Sequence, residues 1–358
     1  MIALLRDIGQ LWKEKIWFKV SSFYILLLIL LVLVLDFLPL AYTPNQLDLQ
    51  HTLLSPFQEQ SAHVAGTDAL GRDVLVNSLY GARTGLMIAV PVMLVSCILG
   101  TVIGATAGYY GNNLLKLSIG KVITGSFMLF CFLFYGIYIP LQSIALEMET
   151  EAILYSLLLL ASIMLVLKYL VYPLLCKINL LKSELNAPLD KLVLRSIEIL
   201  TSIPKLILIL ALASFITPSV FLLSLLLILT YWTGTARLAR AEMLRIKELP
   251  FIEAAQSLGL AHRSIILKEA LPNLSGPVIV AFTFGVAGLL AVEATLSFLG
   301  IGLPATIPSW GRMIAGIRSN TTAWWLVVVP SSFLTLTALS FQVCSHYILK
   351  SLQEKKTF

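Results

Sequence analysis

The sequence Pro250-Phe251-Ile252-Glu253-Ala254-Ala255-Gln256-Ser257-Leu258-Gly259 lies in a charged loop, residues 237–276, between two long apolar segments. Pro250 suits the first turn of a helix, and Gly259 suits the left-handed residue that ends one. Apolar residues recur here at i, i+3, i+4 and i+7 and predict one apolar face: Phe251, Ala254, Ala255 and Leu258. A second helix over residues 262–270 is predicted to end before Pro272, because the residue preceding a proline disfavours helical geometry. The loop is therefore expected to form two short helices joined by a glycine turn.

The composition of the whole chain indicates a membrane protein. Hydrophobic residues make up 58% of the 358 residues, the mean hydropathy is +0.91 and only 12% are charged. A water-soluble domain could hardly solvate such a chain, so we predict an all-α polytopic membrane protein. The net charge of +6 comes from basic residues beside apolar segments, which favours contact with membrane lipid over a nucleic-acid partner.

Eight apolar segments are long enough to cross the hydrocarbon core, which takes about 20 helical residues. They are residues 22–40, 84–110, 117–142, 152–175, 192–216, 219–237, 275–299 and 324–349. In this topology four basic residues lie outside, Arg72, Arg83, Arg312 and Arg318, and Lys205 lies within a span. The rest of the 25 Lys and Arg residues fall inside, so the positive-inside rule predicts that both termini are cytoplasmic.

The loop that opens this section resembles a known family motif. Glu253-Ala254-Ala255, Gly259 and then Leu271-Pro272 have the spacing of the EAA loop of ABC importer permeases. One departure is Glu269, which stands where that family often has isoleucine. The resemblance implies a type I permease fold with six core transmembrane helices. It also implies that these six residues couple the chain to a cytoplasmic ATPase subunit.

A second motif follows the first span. Gly66-Thr67-Asp68-Ala69-Leu70-Gly71-Arg72-Asp73 resembles a segment of dipeptide, oligopeptide and nickel importer permeases, specifically their C-type subunit. The resemblance places it outside, in the periplasm of a bacterium whose inner membrane holds the chain. Asp68, Gly71, Arg72 and Asp73 are candidate site residues, and local capping and pairing are as open a role for them as substrate contact.

The chain divides into four parts on these grounds. Residues 1–22 form a basic amphipathic stretch on the inner leaflet, and residues 23–112 hold the first two spans with the periplasmic segment 42–83. Residues 113–187 depart from the family pattern and are predicted to be an inserted two-helix hairpin, with peripheral packing against lipid as its expected role. Residues 188–358 form the permease core with the coupling loop 237–276.

Three features inside the spans point to helix packing or to a translocation path. Gly100, Gly104 and Gly108 recur every four residues and predict close packing against another helix. Glu293 is a costly charge within a span, so we expect it either to line the path or to bond a broken helix backbone. Glu198, the second path candidate, lies seven residues before Lys205, which predicts that the two share a helix face.

Motifs for catalysis and cofactor binding are absent from the sequence. It has no Gly-x4-Gly-Lys-Ser/Thr phosphate loop, so ATP and Mg are expected on partner subunits and no cofactor or catalytic residue is predicted in this chain. His51, His63, His262 and His346 are far apart in sequence and predict no local metal cluster. A metal site assembled from distant segments stays open.

The resemblance implies a permease subunit of an ABC importer that moves peptides across the bacterial inner membrane. It implies a second permease, two ATP-binding cassette ATPases and a periplasmic or lipid-anchored solute-binding protein as partners. A nickel or other small-solute importer is an alternative, because substrate identity normally resides in the binding protein. An ATP-independent secondary carrier is an alternative of another class, favoured by Glu293 and Glu198 and disfavoured by the EAA loop.

Overall fold

The chain is built almost wholly of helices in this computed structural model, which describes residues 9–57, 63–114, 116–145, 150–175, 177–178, 184–215 and 217–354. The helices that position the candidate sites and spans are α1 (Ile16–Val34), α2 (Val74–Tyr110), α3 (Ile119–Tyr138), α4 (Thr150–Val166), α5 (Leu189–Ser202), α6 (Lys205–Ala213), α7 (Val220–Lys247), α8 (Pro250–Ser257), α9 (His262–Phe298), α10 (Trp310–Ala315) and α11 (Trp325–Glu354). Two further short helices are Ile139–Ala145 and Tyr172–Leu175.

Seven helices in the described part of the chain are long and apolar enough to cross a membrane. An eighth candidate is the pair α5 and α6, which meet at a bend of 77°. This agrees with the eight predicted segments. The bend falls at Pro204, and it corrects the expectation for Glu198 and Lys205, which lie on two differently directed helices and not on one face.

The helix boundaries differ from the predicted spans. Helix caps and backbone hydrogen bonds decide where a helix begins and ends, whereas the spans were predicted from hydropathy. Helix α1 begins at Ile16, and α2 begins at Val74, within the segment predicted to be a polar excursion. The start of α2 is set by Asp73, whose Oδ1 accepts a hydrogen bond of 2.8 Å from the backbone N–H of Val76. Helix α7 extends into the predicted loop, residues 237–276, and ends at Lys247.

The predicted helix end before Pro272 is wrong. Residues Ile265–Ala270 form a π-helical segment, and an α-helix over Leu271–Phe298 follows it directly. The wider π turn displaces the carbonyls that would otherwise meet the proline ring, so the helix passes through Pro272. Helix α9 is therefore one rod that joins the second half of the EAA loop to the following span.

Residues Tyr110–Leu192 form a compact unit of their own. It contains α3, which includes the π-helical segment Phe132–Tyr138, and α4, which is followed directly by a second π-helical segment, Leu167–Val171. The chain was predicted to be all-α, but two three-residue strands, β1 (Lys116–Ser118) and β2 (Glu184–Asn186), pair antiparallel here. The predicted insertion, residues 113–187, falls within this unit.

The other unit comprises residues Met1–Tyr109 and Val193–Phe358. Helix α9 packs along α11, and α11 packs along α1. The buried core includes Leu28 of α1, Ile88 of α2, Leu227 of α7 and Leu289 of α9. Large apolar side chains such as Leu26, 65% exposed, cover the outer face of α1, as expected for a helix whose solvent is lipid.

The glycine stripe of α2 packs directly against α7, as its four-residue spacing predicted. A Cβ atom on Gly100 would lie 2.6 Å from the carbonyl oxygen of Trp232, and one on Gly108 would lie 2.8 Å from that of Arg240. At Gly104 it would collide with the backbone of Ala236. Only glycine permits this approach of two helix backbones, which is a common device where lipid removes the hydrophobic drive for helix association.

We expect Gly104→Ala to destabilise the chain by about 1–3 kcal/mol, because the added methyl group must push α2 and α7 apart. Gly234→Ala in α7 is the matched control, since nothing lies within 4 Å of a Cβ atom there. It should be neutral or stabilising, by up to about 1 kcal/mol. The measurement is the thermal unfolding midpoint in detergent, and equal midpoints for both variants would contradict the backbone contact.

Candidate functional site

Helix α8 presents most of its apolar residues outward. Phe251 is 40% exposed and Leu258, the residue that caps the helix, is 80% exposed, while Ile252 is fully buried and Ala255 nearly so. The predicted apolar face is therefore split: Phe251, Ala254 and Leu258 are exposed together with Glu253, but Ala255 belongs to the buried side. Helix α8 packs against the neighbouring π segment Ile265–Ala270 and against α7, which accounts for a buried side. An exposed apolar strip remains on a short, supported helix.

The turn after α8 is the predicted glycine turn. Gly259 has φ +72°, a left-handed conformation that strains any residue with a Cβ atom. Its N–H bonds the carbonyl oxygen of Gln256 at 2.9 Å, and the N–H of Leu260 bonds that of Ala255 at 3.2 Å. These bonds satisfy the last carbonyls of α8 and reverse the chain toward α9.

The base of the EAA loop is anchored to the end of α2. The hydroxyl of Tyr109, a fully buried residue, lies 2.9 Å from Nδ1 of His262 at the start of α9. Lys247, the last residue of α7, holds its Nζ 6.0 Å from the centre of the Tyr109 ring. Leu271 is half-buried and Pro272 exposed on α9. Sequence reasoning missed the Tyr109 and His262 pair, because the two lie far apart in the chain.

The loop before α2 is held by its own aspartates. Oδ1 of Asp68 accepts hydrogen bonds from the backbone N–H of Leu70, at 2.8 Å, and of Arg72, at 2.9 Å. Gly71 has φ +72°, and a Cβ atom there would collide with the carbonyl of Asp48. Asp73 caps α2 as described above. These contacts are structural ones, and a substrate role for Asp68, Gly71, Arg72 and Asp73 stays a prediction.

Two guanidinium groups line a small pocket of about 60 Å³ beside this loop, Arg72 and Arg312. Arg72 donates to Oδ1 of Asn45 at 3.3 Å. Arg312 donates to the carbonyl oxygens of Leu303, Pro304 and Ile307, at 2.7–3.0 Å, and so holds the segment that follows α9. Burial, and then the charge of Arg72, lower the pKa of Arg312 from its ordinary value.

Glu293 is buried and engaged within the chain. Its Oε1 accepts hydrogen bonds from the hydroxyls of Ser297, at 2.8 Å, and of Ser309, at 2.9 Å. Trp310, which follows Ser309 in the chain, is fully buried and donates its indole N–H to the carbonyl oxygen of Ser78 at 2.9 Å. This cluster ties α2, α9 and α10 together. Sequence reasoning singled out Glu293 but missed Ser309, which only the fold brings beside it.

Glu198, the other path candidate, pairs with Arg195 one turn away on α5. The two side chains meet at 2.7 Å and are both largely exposed. Such a surface ion pair contributes little to stability. The assignment of Glu293 and Glu198 to a translocation path stays a prediction.

Two of the histidines that lie apart in sequence, His51 and His63, meet in the fold. Turns in the loop before α2 bring the rings of His51 and His63 to 6.2 Å between their centres. Both rings face Asp48, and the hydrogen bond from His51 is the main cause that lowers the pKa of this carboxyl group, with a smaller lowering from His63. Loop folding of this kind leaves no local sequence signal.

These features define a multi-pass membrane protein with a short helix, α8, that lies outside its candidate spans and exposes apolar side chains. Comparison with known proteins agrees. The family described as binding-protein-dependent transport system inner membrane component matches residues 178–355, about half of the chain and the part that contains the EAA loop. The chain belongs to this family of transporter permeases, and it is a multi-pass inner-membrane protein.

Relatives match over most of the chain. The oligopeptide transport system permease protein OppC of Haemophilus influenzae is 26% identical, with 97% of this chain and 89% of that protein covered. The dipeptide transport system permease protein DppC of Bacillus subtilis is 25% identical, with 99% and 87% covered. OppC of Salmonella typhimurium is 31% identical over a shorter match, with 47% and 56% covered.

We expect Glu293→Ala to lower the free energy of unfolding by about 1–3 kcal/mol, because two buried hydroxyls lose their acceptor. Glu293→Gln retains an oxygen that can accept both bonds and should lie close to the unchanged chain. Thermal unfolding in detergent measures both. If the two variants unfold at the same temperature, the hydrogen bonds do not explain the burial of Glu293. A stable Glu293→Gln chain that has lost uptake would instead point to its charge.

Proposed function

We propose that this chain is the C-type permease subunit of an importer that moves peptides across the bacterial inner membrane with energy from ATP. Family membership supports a transporter permease, and the names of the relatives support peptides as the solute. The partners are a second permease, two ATP-binding cassette ATPases that bind ATP and Mg, and a solute-binding protein. The chain itself supplies no ATPase site, and membrane lipid surrounds it.

One observation carries the proposal: the exposed apolar strip of α8. Leu258, 80% exposed, and Phe251, 40% exposed, stand outside every candidate span in the described chain, so lipid does not account for them. Exposed apolar strips beside polar residues mark protein interfaces. Glu253, on the outward side, supplies a charge at the rim. We assign this strip to a groove on an ATPase subunit.

The geometry of the chain allows movement of α8 to reach the membrane region. Helix α8, in which Ile252 and Ala255 are buried, packs against the π segment of α9. Helix α9 continues without interruption to Phe298, with Glu293 near its far end. A helix of 37 residues is about 55 Å long, so a small tilt at one end displaces the other. Closure of the ATPases would thus shift α9 as a rigid body and switch access to the path.

The proposal orients the chain with both termini and the EAA loop in the cytoplasm. The Tyr109 end of α2 then lies inside, and the Asp73 end, with residues 42–73, lies outside within reach of a solute-binding protein. Glu293 and Glu198 are the proposed path residues. The inserted pair of helices, residues 113–187, is assigned to packing against lipid. Whether the transporter imports peptides, nickel or another small solute would depend on the binding protein.

The test is to purify the full chain from its native membrane with a tag at its C-terminus and to identify what accompanies it by mass spectrometry. The proposal expects a second permease and P-loop ATPases, and ATP hydrolysis stimulated by a peptide-loaded binding protein after reconstitution. A chain recovered alone, under conditions that preserve other transporter complexes, would overturn it. Flux driven by an ion gradient would then identify a secondary carrier.

We expect Leu258→Asp to reduce the recovered ATPase roughly tenfold or more, because a charge is placed at the centre of the proposed interface. The side chain is 80% exposed, so the chain should unfold at an unchanged temperature. Leu47→Asp, at a 55% exposed position in the loop before α2, is the matched control and should recover the ATPase normally. Normal recovery with Leu258→Asp would contradict the docking assignment.

A further inference from the structure

Two imidazoles and one carboxylate converge in the loop before α2. Nδ1 of His51 lies 2.8 Å from Oδ2 of Asp48, and Nε2 of His63 lies 3.5 Å from the same oxygen. The three donor atoms all fall within 4.8 Å of one another. Two ligands of a tetrahedral zinc ion, each bound at about 2.0–2.1 Å, are separated by roughly 3.3 Å. The distances in this cluster bracket that value.

The orientation of His63 is fixed by groups behind it. Its Nδ1–H donates to Oδ2 of Asp73 at 2.9 Å, and its ring stacks on Tyr42 with 4.1 Å between ring centres. The side chains of His63 and Asp73 are 2% and 4% exposed. A histidine whose one nitrogen donates to a carboxylate is prepared to bind a metal ion through the other, because the bond sets the tautomer and raises the basicity of the ligand atom.

The chemistry of the cluster also suits a cation between its members. The carboxylate of Asp48 presents one oxygen, Oδ2, to both imidazoles, at Nδ1 of His51 and at Nε2 of His63. A carboxylate binds a metal ion in its ionised form, and the other two groups of the cluster are imidazoles.

We propose that Asp48, His51 and His63 bind one divalent transition-metal ion of the zinc class. Two imidazole nitrogens with one carboxylate oxygen suit Zn²⁺, Co²⁺, Ni²⁺ or Cu²⁺, whereas Ca²⁺ and Mg²⁺ require mainly oxygen ligands. His51 is 52% exposed and Asp48 24%, so the ion can enter from solvent and complete its coordination with water.

The bound ion would connect the loop to the second span. Asp73 bonds His63 through Oδ2 and caps α2 through Oδ1, so His63 links the ion to the first turn of that helix. The ion would join residues 48–51 to residue 63. A site of this kind stabilises the loop surface and is independent of the transport role proposed above.

The experiment uses the full chain with a tag that contains no histidine, stripped of metal by a chelator and held in lipid nanodiscs. Titration with Co²⁺, followed by its visible absorption, and with Zn²⁺, followed by calorimetry, should give one ion per chain with a dissociation constant in the micromolar range or below. His51→Ala and Asp48→Asn should each weaken binding at least tenfold. Both positions are partly exposed, so neither should change the unfolding temperature of the metal-free chain.

His346→Ala is the matched control, because it removes an exposed imidazole from α11, far along the chain from the cluster. Binding by this variant should equal that of the unchanged chain. Zn²⁺ should raise the unfolding temperature of the unchanged chain and of His346→Ala, but not of His51→Ala. Absence of stoichiometric binding, or binding that survives both His51→Ala and Asp48→Asn, would overturn the proposal.

Discussion

The close contact between the backbones of α2 and α7 is the constraint on which the arrangement of both ends of α2 depends. Gly100, Gly104 and Gly108 leave no space for a side chain, so the register between the two helices has little freedom. That register places Tyr109 beside His262 and Lys247 at the base of the EAA loop. At the other end of α2, Ser78 receives the indole N–H of Trp310. Helix α2 thus positions the EAA loop at one end and the cluster of Glu293, Ser309 and Trp310 at the other.

Buried polar contacts add to the close packing of the helices in fixing the fold. Within lipid the hydrophobic effect does not favour helix association, so backbone approach and buried hydrogen bonds contribute the specificity. Glu293 illustrates this, because its carboxylate is shared by a serine of its own helix and by Ser309 after the helix has ended. The same contact that satisfies a buried carboxylate also fixes the segment between α9 and α10. Structural and transport roles for Glu293 are therefore compatible.

Sequence patterns predicted the helices well and their limits poorly. Hydropathy located every candidate span because the lipid environment selects composition over about 20 residues. It did not find the start of α2, which a single aspartate cap decides, or the passage of α9 through Pro272, which a π turn permits. The predicted apolar face of α8 was partly wrong for a similar reason. Periodicity marks apolar positions, but only packing against α9 shows that Ile252 and Ala255 are the buried ones.

The sequence by itself determined the class of protein, the number of candidate spans, the glycine stripe and the EAA motif, because each is encoded in composition or in short spacing. Tertiary structure alone decided which distant side chains meet: Glu293 with Ser309, Tyr109 with His262, and His51 with His63 around Asp48. The physical reason is that these pairs depend on helix register and loop turns, which arise from the sum of many packing contacts. A short sequence pattern does not contain the information about these contacts.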